Sequence, residues 1–321
     1  MKRCAILDDY QNVALSIADW SQLASAVEIK VFNKYIADRQ ERVVALRDFD
    51  IIVAMRERTP FDAELIRSLP KLRLLVTTGA YNAAIDITAS ETHGITVCGT
   101  GGVPGATAEL AWALLLALAR NVAAEVRDFK AGAAWQPRIS HDLAGRRLGV
   151  IGLGRLGSRV ARVGAAFGMD VVAWTPNLTD ERAKAEGVTR AGSLDELLTA
   201  SDFVSIHVPL NAKTRGLIGA RELGLMKQTA FLVNTSRGPI IDQAALIDAL
   251  NSDRLAGAAV DVFDEEPLPV DHPLRRVERL IATPHIGYVT EATYRVFYRD
   301  AVEDIAAWLK GAPVRVLVAK K

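Results

Sequence analysis

Three short stretches carry residue types suited to proton and anion chemistry, and each closes an apolar run: NTSRG at Asn234 to Gly238, DVFDEEP at Asp261 to Pro267, and TPHIG at Thr283 to Gly287. Arg237 offers a planar fork that matches a carboxylate. His285 can exchange a proton near neutral pH, and Glu266 can orient an imidazole and favour its charged form. Singly, each has a plain structural reading: Arg237 as a surface ion pair, Glu266 as a solvated acid in an acidic loop, His285 as a turn residue after Pro284. Jointly, at the ends of successive predicted strands, they form a set for moving a proton beside a bound anion. In open α/β sheets the ligand lies outside the carboxyl ends of the strands.

The elements that must position these residues are organised around Leu148 to Ala165. Leu148, Val150 and Ile151 read as a short buried strand, and Val160, Ala161 and Val163 as the apolar face of a helix. Between them Gly152, Gly154 and Gly157 fall at G-x-G-x-x-G spacing, with Arg155 and Leu156 at the mouth of the helix. The first glycine permits a tight turn, the second lets backbone approach a pyrophosphate, and the third allows close helix packing. The competing reading is a glycine-rich turn of any α/β protein. Further strands are predicted at VVAW, FVSIHV, AFLVNTS, LAGAAVDV and RLIATPH, and Ser193 with Glu196 has capping-box spacing.

Upstream, CAIL, VEIKVF, DIIVA, LRLLVTT and ITVC alternate with helical stretches and bring no phosphate loop of their own. This alternation predicts an α/β protein of two doubly wound parallel-sheet domains. The dinucleotide-binding domain, 104–289, is inserted into a smaller one made of 1–103 and 290–321, to which a helix from Thr290, ended by Gly311 and Pro313, returns the chain. The apolar pattern from Pro104 to Ala119 reads either as a linker helix contributing to a subunit interface or as a plain core helix.

Composition narrows the partners. At 321 residues the chain exceeds the usual size of one core, and a formal net charge of +1 gives no electrostatic case for nucleic acid or a polyanionic surface. Cys4 and Cys98 stand singly, which argues against a disulfide framework or a zinc site and fits a reducing cytoplasm. The N-terminus lacks the pattern of a signal peptide, and the apolar run Leu110 to Ala119 is too short to span a bilayer. Small molecules and other protein chains are the expected partners.

With GLGRLG, HVPL at His207 to Leu210, NTSRG, LAGAAVDVFDEEPL and TPHIG in this order over nearly the whole length, the chain resembles the D-isomer-specific 2-hydroxyacid dehydrogenases. The resemblance implies a Rossmann cofactor domain inserted in a flavodoxin-like substrate domain, a cleft that closes, and a homodimer. It implies that Arg237 binds the substrate carboxylate and carbonyl, that His285 donates or accepts the proton, and that Glu266 pairs with His285. Asp261 would hold the nicotinamide carboxamide, with Thr235, His207, Pro209 and Gly287 along the cofactor cleft. TTGAYNAAID at Thr77 to Asp86 is similar to the family's glycine loop, in which amides around Gly79 and Ala80 would meet the substrate carboxylate. Arg56 and Arg58 are open to two readings, contacts for an acidic substrate or solvated charges. Trp135 either walls the cleft or packs at an interface. No ligand partner is visible for His93, His141 or His272.

The chain departs from the pattern in one place. The acid expected about 20 residues past the fingerprint, which holds the ribose hydroxyls, is replaced by Thr175, Pro176 and Asn177, while no arginine replaces it locally. The reading leans to NAD over NADP, with Thr175 or Asn177 as neutral ribose contacts and Arg182 a distant candidate for a phosphate. A second class of function, a dinucleotide-sensing binding protein of the corepressor kind, shares the fold and the Arg, Glu and His set. Phosphite oxidation also fits that set, whereas a formate-type enzyme is disfavoured by Glu266 in place of glutamine.

Overall fold

In the computed structural model, which describes residues 1–319, the apolar runs become the strands of two parallel sheets. The chain divides into two compact units, Met1–Val103 with Val289–Lys321, and Pro104–Tyr288.

The first unit holds β1 (Lys2–Ile6), β2 (Val27–Val31), β3 (Ile51–Ala54), β4 (Leu74–Thr77) and β5 (Thr96–Gly99) in the order β2-β1-β3-β4-β5. This is the flavodoxin-like order, with its switch point between β1 and β3. Strands β3 and β4 are buried throughout, as expected of parallel strands covered on both faces. The Glu291–Leu309 helix, capped by Thr290, buries Tyr294, Phe297, Tyr298, Ala301, Val302 and Ile305 in this unit. Beyond it the chain runs antiparallel along β5, where the Gly99 amide donates to the Arg315 carbonyl and the Leu317 amide to that of Val97.

The second unit holds β6 (Arg147–Ile151), β7 (Asp170–Trp174), β8 (Thr189–Arg190), β9 (Phe203–Ile206), β10 (Phe231–Asn234), β11 (Gly257–Val260) and β12 (Leu280–Ala282). Their order is β12-β11-β10-β9-β6-β7-β8, so the direction of winding reverses between β6 and β9. Alternate residues of one strand feed opposite cores: Leu148 and Val150 pack on one face with Phe203, Phe231 and Val233, while Ile151 packs on the other with Val204, Ile206 and Leu232.

One open reading closes and one expectation changes. The Ala106–Ala119 helix is a core helix of this unit, because Ala108, Ala111, Trp112, Leu114, Leu115 and Leu118 are all buried, and the Trp112 indole donates to the Val160 carbonyl at 3.2 Å. The helix after it, Val122–Lys130, buries no residue. At the SLDELL helix, Ser193 Oγ accepts the Glu196 amide, but the Glu196 carboxylate reaches back to the Gly192 amide rather than to that of the cap residue. Among the described residues no single helix is long and apolar enough to cross a membrane.

Candidate active site

In the second unit the singled-out residues stand just past the carboxyl ends of consecutive strands: Gly152 after β6, His207 after β9, Thr235 after β10, Asp261 after β11 and His285 after β12. The crevice opens at the β6/β9 reversal, where such sheets bind ligands. There the backbone is drawn so close that a Cβ on Gly152, whose φ is +104°, would lie 2.7 Å from the His207 carbonyl carbon. A Cβ on Gly157 would lie 1.9 Å from the Gly152 oxygen. The first and third glycines therefore hold the loop shut on itself. The second, Gly154, caps the Arg155–Ala166 helix without a side-chain bond, and a Cβ there would meet nothing within 4 Å. The helix amides are left for an anion.

Beside this loop lies a cavity of about 390 Å³ whose lining includes Gly152, Gly154, Thr175, Asn177, His207 and Pro209. Arg182, the distant phosphate candidate of the sequence, also lines it, and Asn211, Lys213 and Thr214 are the part that the sequence did not bring forward. Lys213 sits in no motif, and the only available signal was its place in the loop after a strand that ends at the crevice. Arg155 is exposed at the helix mouth, and the Leu156 side chain packs against the core instead of the cavity. His207 is half-buried, and loss of water around the ring lowers its imidazole to about 4, while its Nε2 lies 2.8 Å from Ser205 Oγ. Thr235 Oγ1 is buried with no hydrogen-bond partner among the described residues. A glycine cradle, an open helix end and an orphaned hydroxyl fit a dinucleotide laid across the strand ends.

The proton-transfer group is built from two loops. His285 Nδ1 and Glu266 Oε2 lie 2.5 Å apart, and Glu266 Oε1 accepts the Phe263 amide at 2.9 Å, which fixes the carboxylate. A carboxylate accepts and does not donate, so Nδ1 carries the hydrogen and Nε2 is left to exchange a proton. His285 itself holds φ +54°, a conformation costly for a non-glycine residue and sustained by its surroundings. Those surroundings are Asp261: its Oδ1 accepts the Thr283 hydroxyl at 2.6 Å and the Ile286 amide at 2.8 Å, and its Oδ2 accepts the Gly287 amide at 2.8 Å. Burial pushes the Asp261 carboxyl above the usual carboxylate range, while these three bonds pull it back. Asp261 thus braces the histidine loop, a task the sequence did not announce. Gly287 is buried between Asp261 and Thr107, whose hydroxyl donates to its carbonyl at 3.1 Å, so it serves the same brace and does not line the cavity.

Arg237 follows Ser236, whose carbonyl accepts from its Nη1 at 2.7 Å, and Asn234 Nδ2 donates to the Arg237 carbonyl at 3.0 Å. The next residue, Gly238, is seated on the Phe263–Asp264 backbone, where a Cβ would come within 2.1 Å of the Phe263 carbonyl carbon. The arginine loop and the glutamate loop are therefore in direct backbone contact.

The strand-end loops of the first unit correct two further expectations. The Gly79 amide donates to Thr100 Oγ1 at 2.7 Å and so is not available to a substrate carboxylate. Arg58 is not a solvated charge: its Nη1 donates to the Asp8 carbonyl at 2.7 Å, and its guanidinium lies 4.4 Å from the Tyr10 ring centroid. Arg56 Nη1 donates to the Thr78 carbonyl at 3.3 Å, and its guanidinium occupies the space a Cβ on Gly79 would need. Of the other histidines, His272 caps a short 3-10 helix by accepting the Leu274 amide, His93 Nδ1 lies 2.8 Å from the Ala89 carbonyl, and His141 meets the Phe231 ring edge-on. Among the described residues no group of three metal-ligating side chains occurs.

The chain is similar to known proteins over nearly its whole length. The chain is 39% identical to a glyoxylate reductase of Korarchaeum cryptofilum over 272 residues, 83% of this chain and 81% of that one. It is 37% identical to a glyoxylate reductase of Aeropyrum pernix over 299 residues, 90% of this chain and 89% of that one. A phosphoglycerate oxidoreductase structure from Vibrio cholerae superposes with a TM-score of 0.92 at 34% identity, covering 97% of this chain and all of the other. Residues 112–287 match the family described as D-isomer specific 2-hydroxyacid dehydrogenase, NAD binding domain. With a glycine-cradled cavity at the switch point and a histidine–glutamate pair at the end of the same sheet, the chain belongs to the D-isomer specific 2-hydroxyacid dehydrogenase family.

Proposed function

We propose that the protein interconverts a small 2-keto acid and the corresponding D-2-hydroxy acid with a nicotinamide dinucleotide as hydride carrier. The observation that carries this reading is the 2.5 Å contact of His285 with Glu266, on the sheet whose β6 end forms the dinucleotide cavity. When bound, the dinucleotide supplies or removes the hydride at C2. In the reducing direction His285, protonated and held by Glu266, gives its Nε2 proton to the oxygen forming at C2. Arg237 binds the carboxylate and polarises the keto oxygen, since its fork can serve both. Thr235, His207, Pro209 and the Gly152 to Gly157 loop hold the dinucleotide, and Asp261 accepts from its carboxamide with the lone pairs the histidine loop leaves.

The test is loss of nicotinamide absorbance with purified protein, NADH or NADPH and a panel of 2-keto acids, beside His285→Ala. Turnover that disappears in the variant is expected. Binding of both reduced dinucleotides without turnover of any acid would overturn the enzymatic reading in favour of a dinucleotide-sensing protein.

We also propose that two copies associate through the segment from Val122 to Ile139. In a helix that buries nothing, Val126 and Phe129 are exposed, and Trp135 and Ile139 follow at 79% and 95% exposure. Apolar side chains so concentrated mark a contact surface. A monomer by light scattering at micromolar concentration would refute it.

A further inference from the structure

The charge lining the cavity beside β7 bears on the choice between the two nicotinamide dinucleotides. Their only difference is a 2′-phosphate on the adenosine ribose, and a carboxylate at the end of β7 is what accepts the ribose hydroxyls and repels that phosphate. Here the lining of the cavity contains no carboxylate: the residues after β7 are Thr175, Pro176 and Asn177, and the only charged side chains around it are Arg182 and Lys213. Two acids of β7 and the helix after it are engaged elsewhere. Asp170 lies at the opposite end of β7 against Arg147, and Asp180 pairs with Arg190 at 2.6 Å. Among the described residues neither Arg182 nor Lys213 has a carboxylate partner.

Both cations are held near the cavity by bonds that leave their charge available. Arg182 Nη2 donates to the Leu153 carbonyl at 3.1 Å, which ties the guanidinium to the glycine loop while other donors of the fork remain. Lys213 rides on a stitched turn: its amide donates to Asn211 Oδ1 at 2.8 Å, the Asn211 amide to Thr214 Oγ1 at 2.9 Å, and the Thr214 hydroxyl to the Pro209 carbonyl at 2.6 Å. The backbone that carries the ammonium is thereby fixed at the rim of the cavity.

We infer that the chain takes NADPH in preference to NADH, with Lys213 and Arg182 as the contacts for the 2′-phosphate and Thr175 and Asn177 as its neutral hydrogen-bonding surroundings. This rests on the dinucleotide reading above and reverses the lean to NAD that the sequence alone gives. Specificity arises from both sides, because two cations attract the phosphate and no carboxylate opposes it. Both residues are exposed, so the preference is screened by salt.

The test is the dissociation constants of NADPH and NADH by quenching of tryptophan fluorescence, with 2′-AMP against 5′-AMP as competitors that lack the nicotinamide. We expect NADPH to bind about tenfold or more tightly than NADH at low ionic strength, the ratio to shrink as salt rises, and 2′-AMP to compete better than 5′-AMP. Lys213→Ala should narrow the ratio and Lys213→Glu should abolish or invert it. Lys213 is on the surface, so both variants can be checked for an unchanged melting temperature. Equal or tighter binding of NADH, or a ratio that Lys213→Glu does not move, overturns the inference and leaves the dinucleotide reading standing. Failure of either dinucleotide to bind overturns both.

Discussion

His285 Nδ1 stands 2.5 Å from Glu266 Oε2 across 19 residues of chain, and the other oxygen of the same carboxylate is fixed by the Phe263 amide. The glutamate is thus anchored at one oxygen and presents the second. Glu266→Gln retains the acceptor for Phe263 but removes the negative charge beside the imidazolium. Keto-acid reduction should fall on the order of 10²-fold. Steady-state rates in both directions check this, and a full rate in Glu266→Gln would refute the assignment of Glu266 as the partner of the proton-transferring histidine.

Asp261 supports the same ring from beneath, through Thr283, Ile286 and Gly287. An asparagine can replace one oxygen but sets an N–H against an N–H at the other. Asp261→Asn should cost about 1–3 kcal/mol of stability and lower kcat for reduction. Thermal melts and steady-state rates check both, and a full kcat in a destabilised protein would show that the brace does not govern His285.

Gly238 holds the arginine loop against the glutamate loop, with 2.1 Å between an added Cβ and backbone. Since backbone cannot swing aside, Gly238→Ala should cost about 1–3 kcal/mol and raise KM for the keto acid through displacement of Arg237. Dinucleotide affinity, measured separately, should be far less affected.

Two groups shielded from water link stability to pH with opposite signs. Burial pushes the Asp304 carboxyl from its ordinary 3.8 up to about 7, Arg315 opposing. Between those values the folded state holds a proton the unfolded chain has released, so the contribution is complete below about pH 4 and is lost as pH rises towards 7. His207 is lowered from 6.5 to about 4, so its contribution is complete above pH 6.5 and is lost as pH falls towards 4. Melting temperatures from pH 4 to 8 test this. Asp304→Asn should gain on the parent as pH rises, and His207→Asn should gain as pH falls.

Legibility followed chain distance. Buried parallel strands such as Ile51–Ala54 and Leu74–Thr77 are unbroken apolar runs, and the glycine spacing at Gly152, Gly154 and Gly157 encodes a turn within a few residues. The two-residue strand Thr189–Arg190 is exposed and short, so it left no periodic signal. The apolar Ala106–Ala119 stretch has no polar face from which to tell an interface helix from a core helix, and only packing on Val160 and its neighbours decided it. The loss of the Gly79 amide to Thr100, and the meeting of Lys213 with Asn177 at one cavity, are relations between distant segments that no local pattern contains.

The Gly101 amide donates to Asp300 Oδ2 across 199 residues, and that single bond states how the first unit must come into being. On the ribosome its five strands emerge early, but the helix that buries Tyr298, Ala301 and Ile305 against them is made only after the entire second unit. For most of synthesis the nascent strands keep an uncovered apolar face and an unlatched β5 edge, the kind of surface that chaperones bind and that aggregates. The inserted unit is one unbroken stretch and has no such wait. A chain truncated before Glu291 would therefore be one in which the inserted stretch is whole and the enclosing one cannot close.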